Sequence, residues 1–385
     1  FPTKPTFLYK FVYLQRNFYL VFNKNQIITL LSTFMLLFSL SLRAEVATPV
    51  QEGEKKEDVS SVVVEHIMNH VADANENHIA TIKDGEHETH ISMPLPCILY
   101  NKTTGKWSVF MSSVFHHAPN GIHEGYKMEH GRVVDAQTGN RATFLDFSIT
   151  KNVFNMLLGF TILAIVFFVV KKAYDKRPGQ APRGLQGFME VFVEFITEDI
   201  AKPNLGNKYE NFLPYLIGLF FFILINNLLG LIPFLGNINS SGNISFTLVL
   251  AVFSLLLINI NGNKDYWKHI FAMPGVPKWV LIILVPVEVM GILIKPAVLM
   301  LRLFGNITGG HITILAIAGL IFIMGNLGTS VGGAAAGGLI AFPVLLFVNA
   351  MELFVAFLQA YVFTLLTAIF IGAAIEEHHH AEEHH

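Results

Sequence analysis

The hydrophobic and polar positions of this chain divide it unevenly. A polar N-terminal third is followed by long apolar runs broken by short charged or glycine-rich stretches. The first run, about 152–170, leaves into Lys171, Lys172, Lys176, Arg177 and Arg183. From 184 to 201, apolar Leu185, Phe188, Met189, Phe192, Phe195 and Ile196 recur at helical spacing, with Glu190, Glu194, Glu198 and Asp199 between them. That pattern predicts an amphipathic helix lying along a membrane surface or against a neighbouring helix. A second run, 212–235, leads to an uncharged stretch, 236–243, and a third, 244–260, leads to Lys264, Lys268 and Lys278.

The last two runs are longer than a membrane is thick. From 280 to about 326 no strong turn signal appears, and one helix of that length extends roughly 70 Å, more than twice the ~30 Å hydrocarbon core. Two upright spans would need a turn near 300–304, where no glycine or proline cluster supports one. A single steeply tilted helix, kinked at Pro286 and Pro296, is the more economical reading. Residues 328–338, G-T-S-V-G-G-A-A-A-G-G, predict a turn, and 341–375 a returning helix. The fold class expected is an all-α membrane protein with about five transmembrane helices. It includes a long, steeply tilted C-terminal hairpin, with a surface amphipathic helix and a small N-terminal extramembranous domain in addition.

Charge orients this arrangement. The basic segment after the first run is cytoplasmic by the positive-inside rule, so the polar region before it is outside. Basic residues, then an apolar stretch at 27–42, then Arg43 and Ala44 resemble a secretory signal peptide over 1–44. Residues 45–150 read as a periplasmic domain with short β-like pieces at 97–100 and 107–111. It holds nine of the 16 histidines: His66, His70, His78, His87, His90, His116, His117, His123 and His130. Their spacing matches no known ligand motif and suits a solvated surface. The tail, 376–385, is acidic and histidine-rich, and lies on the cytoplasmic side.

Composition sharpens the class. Of 385 residues, 52% are hydrophobic and 14% charged, too apolar for an ordinary soluble domain. A net charge of −2 argues against a nucleic-acid partner, and no G-x-x-x-x-G-K-[ST] loop is present, so nucleotide chemistry would lie on another chain. The single cysteine, Cys97, excludes an internal disulfide. No cofactor or metal is expected.

Arg302 is the residue that demands a reason. Between 280 and 375 the only formal charges are Glu288, Lys295, Arg302 and Glu352, and a central arginine costs roughly 2.5 to 3.5 kcal/mol on insertion scales. Glu288, Lys295 and Arg302 are spaced by sevens and share a stripe of the long helix, as Glu352 and Gln359 do on the return. Folding the hairpin about its glycine-rich segment sets Arg302 near Gln359 and His311 near Glu352, the second pair on the outer side of the first. His311 lies nine residues beyond Arg302, half a revolution at about 100° per residue, and faces the other way. A histidine and a carboxylate exchange protons near neutral pH, whereas arginine does not. That is the division of labour of a proton path ending at a fixed charge. Gly305 and Gly309, four apart, suit close helix packing. Lys295 either snorkels or pairs with Glu288.

These residues carry a resemblance. L-R-L-F-G-N-I-T-G-G-H at 301–311, P-V-E-V-M-G-I-L-I-K-P at 286–296 and E-L-F-V-A-F-L-Q-A-Y-V-F-T-L-L-T at 352–367 closely resemble subunit a of F-type ATP synthases, over roughly 147–375. The resemblance implies a stator subunit in a bacterial inner membrane, with the ring of c subunits, the b-subunit peripheral stalk and the rest of the complex as partners. It implies no catalytic site on this chain. Arg302 would be the essential arginine facing the ring, with Gln359 its neighbour and Asn306 a polar helper. Glu288, with Lys295 on the same stripe, would lie towards the cytoplasmic half-channel, and His311 with Glu352 in the outer one. Many bacterial members carry the carboxylate and the histidine of that outer pair exchanged; here they stand as in mitochondrial relatives. Two other classes compete. A secondary transporter would show repeated halves, and none is visible; a membrane-anchored metal receptor would place its function in 45–150 and leave the hairpin unexplained.

Overall fold

The computed structural model describes residues 72–376, apart from 85–86, 130, 177–179, 233–241, 274–275 and 327–328, and for 77–91 it describes the backbone alone. The expected signal segment 1–44, His66, His70, His130, the tail beyond Glu376, and the side chains of His78, His87 and His90 lie outside the described residues.

Residues 76–146 are built mainly of strands. β1 (Glu76–Asp84) pairs with β2 (His87–Pro94), β3 (Pro96–Asn101) is central between β4 (Trp107–Met111) and β8 (Phe144–Asp146), and β5 (Ile122–His123), β6 (Tyr126–Glu129) and β7 (Arg132–Asp135) form a third sheet. Alternation along β3 buries Cys97 and Leu99, which meet Phe115, Tyr126, Val133 and Phe144 in a small core. The predicted strands at 97–100 and 107–111 are β3 and β4. Burial pushes the Cys97 thiol up to about 12.

The remainder is helical. α1 (Lys151–Lys176) follows directly; then come α2 (Leu185–Phe195), α3 (Tyr209–Gly230), α4 (Ile244–Ile260), the short α5 (Lys264–Phe271), α6 (Lys278–Met324) and α7 (Val331–Ile375). Among the described residues four helical runs are long and apolar enough to cross a membrane, or five if α4 and α5, bent by 104° at their junction, count as one span. α6 is a single helix of 47 residues, with Pro286 and Pro296 inside it.

Of the two placements expected for the amphipathic segment, the second is the one seen: Met189, Val193, Ile196 and Ile200 are buried, and Phe192 and Phe195 pack their rings against Phe357 of the neighbouring helix α7. A run of π-helical turns, Ile196–Ala201, continues it into the bundle. The turn expected over 328–338 is corrected to a shorter one: it begins earlier, with Asn326 in the left-handed region (φ 47°), and α7 already starts at Val331 with the Ser330 side chain accepting from the Gly333 amide at 3.2 Å. The glycines serve a close crossing: a Cβ at Gly333 would strike the Met324 carbonyl, and one at Gly337 would come within 3.2 Å of Ile321 Cα. The other end of α7 is tied down separately. Asn263 donates its amide to the Ala374 carbonyl at 3.0 Å, Lys208 Nζ reaches the Ile375 carbonyl at 3.5 Å, and Gly372 lies against the Asn204 carbonyl.

Candidate functional site

Periodicity along α7 brings Glu352, Ala356, Gln359, Ala360 and Phe363 onto one buried face. On α6, Ile307 and His311, one turn apart, are buried as well. These two faces and the C-terminal end of α3 enclose a small cavity lined by Asn227, Gly230, Leu231, Ile307, His311, Glu352 and Ala356, about large enough for one water. Asn227 fixes its wall by donating to the Ala356 carbonyl at 3.1 Å.

His311 and Glu352 are 4% and 5% exposed, and His311 Nε2 and Glu352 Oε2 make no hydrogen bond among the described residues. Leaving a buried polar atom in that condition costs about 1 to 3 kcal/mol. The expected pairing of these residues holds as a shared cavity and not as a direct bond. Gly310 permits it, because a Cβ there would stand 2.9 Å from Glu352 Oε1.

Arg302 presents the opposite face. It is exposed, as are Gly305, Asn306 and Gly309 beside it, and Arg302 forms no ion pair among the described residues. A Cβ at Gly305 or Gly309 would meet nothing within 4 Å. The packing role expected for these two glycines therefore has no basis among the described residues; of this stretch it is Gly310 that stands at a close approach. Gln359, 4% exposed, points into the bundle and makes no hydrogen bond to Arg302, since the two residues lie on faces that turn apart. Lys295 does not pair with Glu288: its Nζ sits 5.3 Å from the centre of the Phe370 ring, a cation over an aromatic face.

Several buried polar residues were not expected. Asn155 of α1 and Asn226 of α3 are wholly buried, and Gly159 admits Asn226 so closely that a Cβ would lie 2.7 Å from its Nδ2. Tyr215 and Ser254 join their hydroxyls at 2.9 Å between α3 and α4. The adjacent pair Asn226 and Asn227 inside an apolar span was the available signal, because amides in hydrocarbon are expensive and mark function or packing. Of the described histidines in the β domain, His116 bonds Glu76 at 2.8 Å and His123 packs edge-on against Phe110. Among the described residues no group of three metal-ligating side chains converges.

Fold and site together define a multi-pass membrane protein that keeps ionisable groups inside its apolar helices. The model of the ATP synthase A chain family matches residues 153–372, more than half of the chain. The chain belongs to that family, the non-catalytic proton-channel subunit of the rotary complex. It is similar to ATP synthase subunit a of Chloroherpeton thalassium, 41% identical over 246 residues, covering 62% of this chain and 70% of the relative. It is similar also to ATP synthase subunit a 2 of Chlorobium luteolum, 44% identical over 236 residues, covering 60% and 66%. The chain thus spans about two thirds of the length of such relatives. A domain of unknown function (DUF8433) matches residues 66–154.

Proposed function

We propose that this chain is the stator subunit that conducts protons to and from a carboxylate on each c subunit of a rotating ring, through two half-channels that meet at Arg302. One observation carries the reading: α6 turns outward, on an open, glycine-lined face, a cation that forms no ion pair among the described residues, while on its reverse its imidazole shares a water-sized cavity with the carboxylate of α7. Arg302 attracts the ring carboxylate in its ionised form, favours proton release and blocks direct leakage. Asn306 shares its face. Gln359, buried behind, acts on the inner wall of that level.

In this reading His311 and Glu352 belong to the outer half-channel and exchange protons through the cavity; Glu288 lies towards the cytoplasmic one. Lys295, held by Phe370, is a neighbour whose charge lies along the same stripe. Residues 1–44 serve as a signal peptide, 45–150 as a periplasmic domain, 151–375 as the membrane domain and 376–385 as a cytoplasmic tail, in a bacterial inner membrane with the b-subunit stalk alongside. The test is Arg302→Ala in the reconstituted complex. Proton-driven ATP synthesis is expected to fall to background, and synthesis at an undiminished rate would overturn the proposal.

A further inference from the structure

The sheet of β3, β4 and β8 has two apolar faces, and the β core covers one of them. Side chains alternate along each strand, so Cys97, Leu99 and Phe144 turn into that core and the residues between them line the opposite face. The chain beyond β8 prolongs this face, because the Phe147 and Ile149 amides donate to the Ile98 and Pro96 carbonyls at 2.8 and 3.0 Å. Three rows result: Trp107, Tyr100 and Leu145; Val109, Ile98 and Phe147; Met111, Pro96 and Ile149. None of these residues is charged. Trp107 is 60% and Val109 69% exposed, with Met111 and Phe147 exposed beside them. Scattered apolar residues on a surface are ordinary, whereas a contiguous apolar face marks a contact.

The place of this face says what it meets. Phe147 lies four residues before Lys151, the first residue of α1, so at most about 14 Å of extended chain separates them. The join has no slack. Asp73, Asn75, Lys151 and Asn152 are buried there; the Lys151 amide donates to the Ala74 carbonyl at 2.9 Å, the Asn152 amide to the Asp73 carboxylate at 3.3 Å, and Arg132 Nε to the Asp73 carbonyl at 2.9 Å. Because α1 is long and apolar enough to cross a membrane, the open face is held close to the point where α1 enters the bilayer.

Its composition suits the headgroup layer. The rings of Tyr100 and Trp107 stand 5.0 Å apart and those of Trp107 and Phe147 5.7 Å, and tryptophan and tyrosine concentrate at membrane–water interfaces. Lys102 and Lys106, exposed in the β3–β4 turn with no acidic residue between 101 and 107, put positive charge at the rim, which anionic headgroups attract.

We propose that the β domain rests on the membrane through this face, with Trp107, Val109, Met111 and Phe147 in the headgroup layer and Lys102 and Lys106 against anionic lipid. The inference rests on α1 as a membrane span and is independent of the proton path. The domain is thereby held at two places, by its join to α1 and by the lipid beneath its sheet.

The experiment uses the whole complex in liposomes containing anionic phospholipid, its other reactive thiols replaced. A nitroxide spin label is attached in turn at Val109→Cys, Met111→Cys and Glu124→Cys. Glu124, exposed in the β5–β6 turn of the sheet across the core, is the reference. Power saturation reads collisions with oxygen, which concentrates in lipid, and with a water-soluble nickel chelate. The labels at 109 and 111 are expected to meet the chelate several-fold less than the label at 124, and oxygen more. Free access of the chelate to both puts the face in water, and shielding from both reagents puts another protein on it; either result overturns the proposal. Should Val109→Cys fail to assemble, Met111→Cys decides alone by the same readings.

Discussion

Glu352 and His311 are costly residues in their setting, each with a polar atom that no described group satisfies. Residues of complementary chemistry that share one cavity should be exchangeable only together. His311→Glu alone places two carboxylates in that space, where like charges oppose ionisation, and is expected to lower proton-driven ATP synthesis at least tenfold. Adding Glu352→His should recover a substantial part of it, and a double variant no better than the single one contradicts the idea. The pair itself was legible from hairpin arithmetic and from the chemistry of the two side chains. Lys151, Asn226 and Asn227 were not singled out. Lys151 reads as an ordinary interfacial cation at the start of a span, and only the docking of Asp73 and Arg132 above it turns it into a buried charge.

At the level of elements, the hydrophobic period carried most of the fold. The single long helix at 280–326 followed from the lack of turn chemistry, and α6 runs through both prolines although each removes one hydrogen bond from the ladder and crowds the carbonyl four residues before it. The strands at 97–100 and 107–111 were visible from their β-rich composition. The glycine-rich run at 328–338 was read as turn over too great a length. Glycine favours turns on local grounds, but here tertiary contact wins: Gly333 and Gly337 let α7 leave the turn in contact with the last turns of α6. Gly333→Ala drives a methyl into the Met324 carbonyl and is expected to cost about 1 to 3 kcal/mol, as overpacking does. Thermal denaturation of the detergent-solubilised complex, followed through subunit dissociation, should register this as a lower midpoint. Gly332→Ala, where a Cβ meets nothing within 4 Å, serves as the control.

At the scale of the whole molecule, the described residues form two hydrophobic cores, one of strands around Cys97 and one of helices around Phe220, joined at a polar seam. The Cys97 thiol reports on the first core without touching the second. It is expected to resist maleimide at pH 8 in the native complex and to react once urea opens the β domain; rapid labelling of the native form would contradict the described burial. The sign of its linkage follows from its raised pKa. The unfolded thiol ionises near 9.0, the folded one not until about 12, so the β core loses stability as pH climbs past 9.0 and is unaffected by this group below it. The helical hairpin has a mechanical character of its own. Its turn end is held by the crossing of its own two helices, whereas the end near Ile375 is fixed to Asn204 and Lys208, in the connection between α2 and α3, and to Asn263 before α5. A beam built in at one end bends most under a load applied far from the clamp. Arg302 stands partway along this one, so any sideways force received there is delivered as a bending moment to the Asn204–Asn263 root, which is where such a molecule has to be stiff.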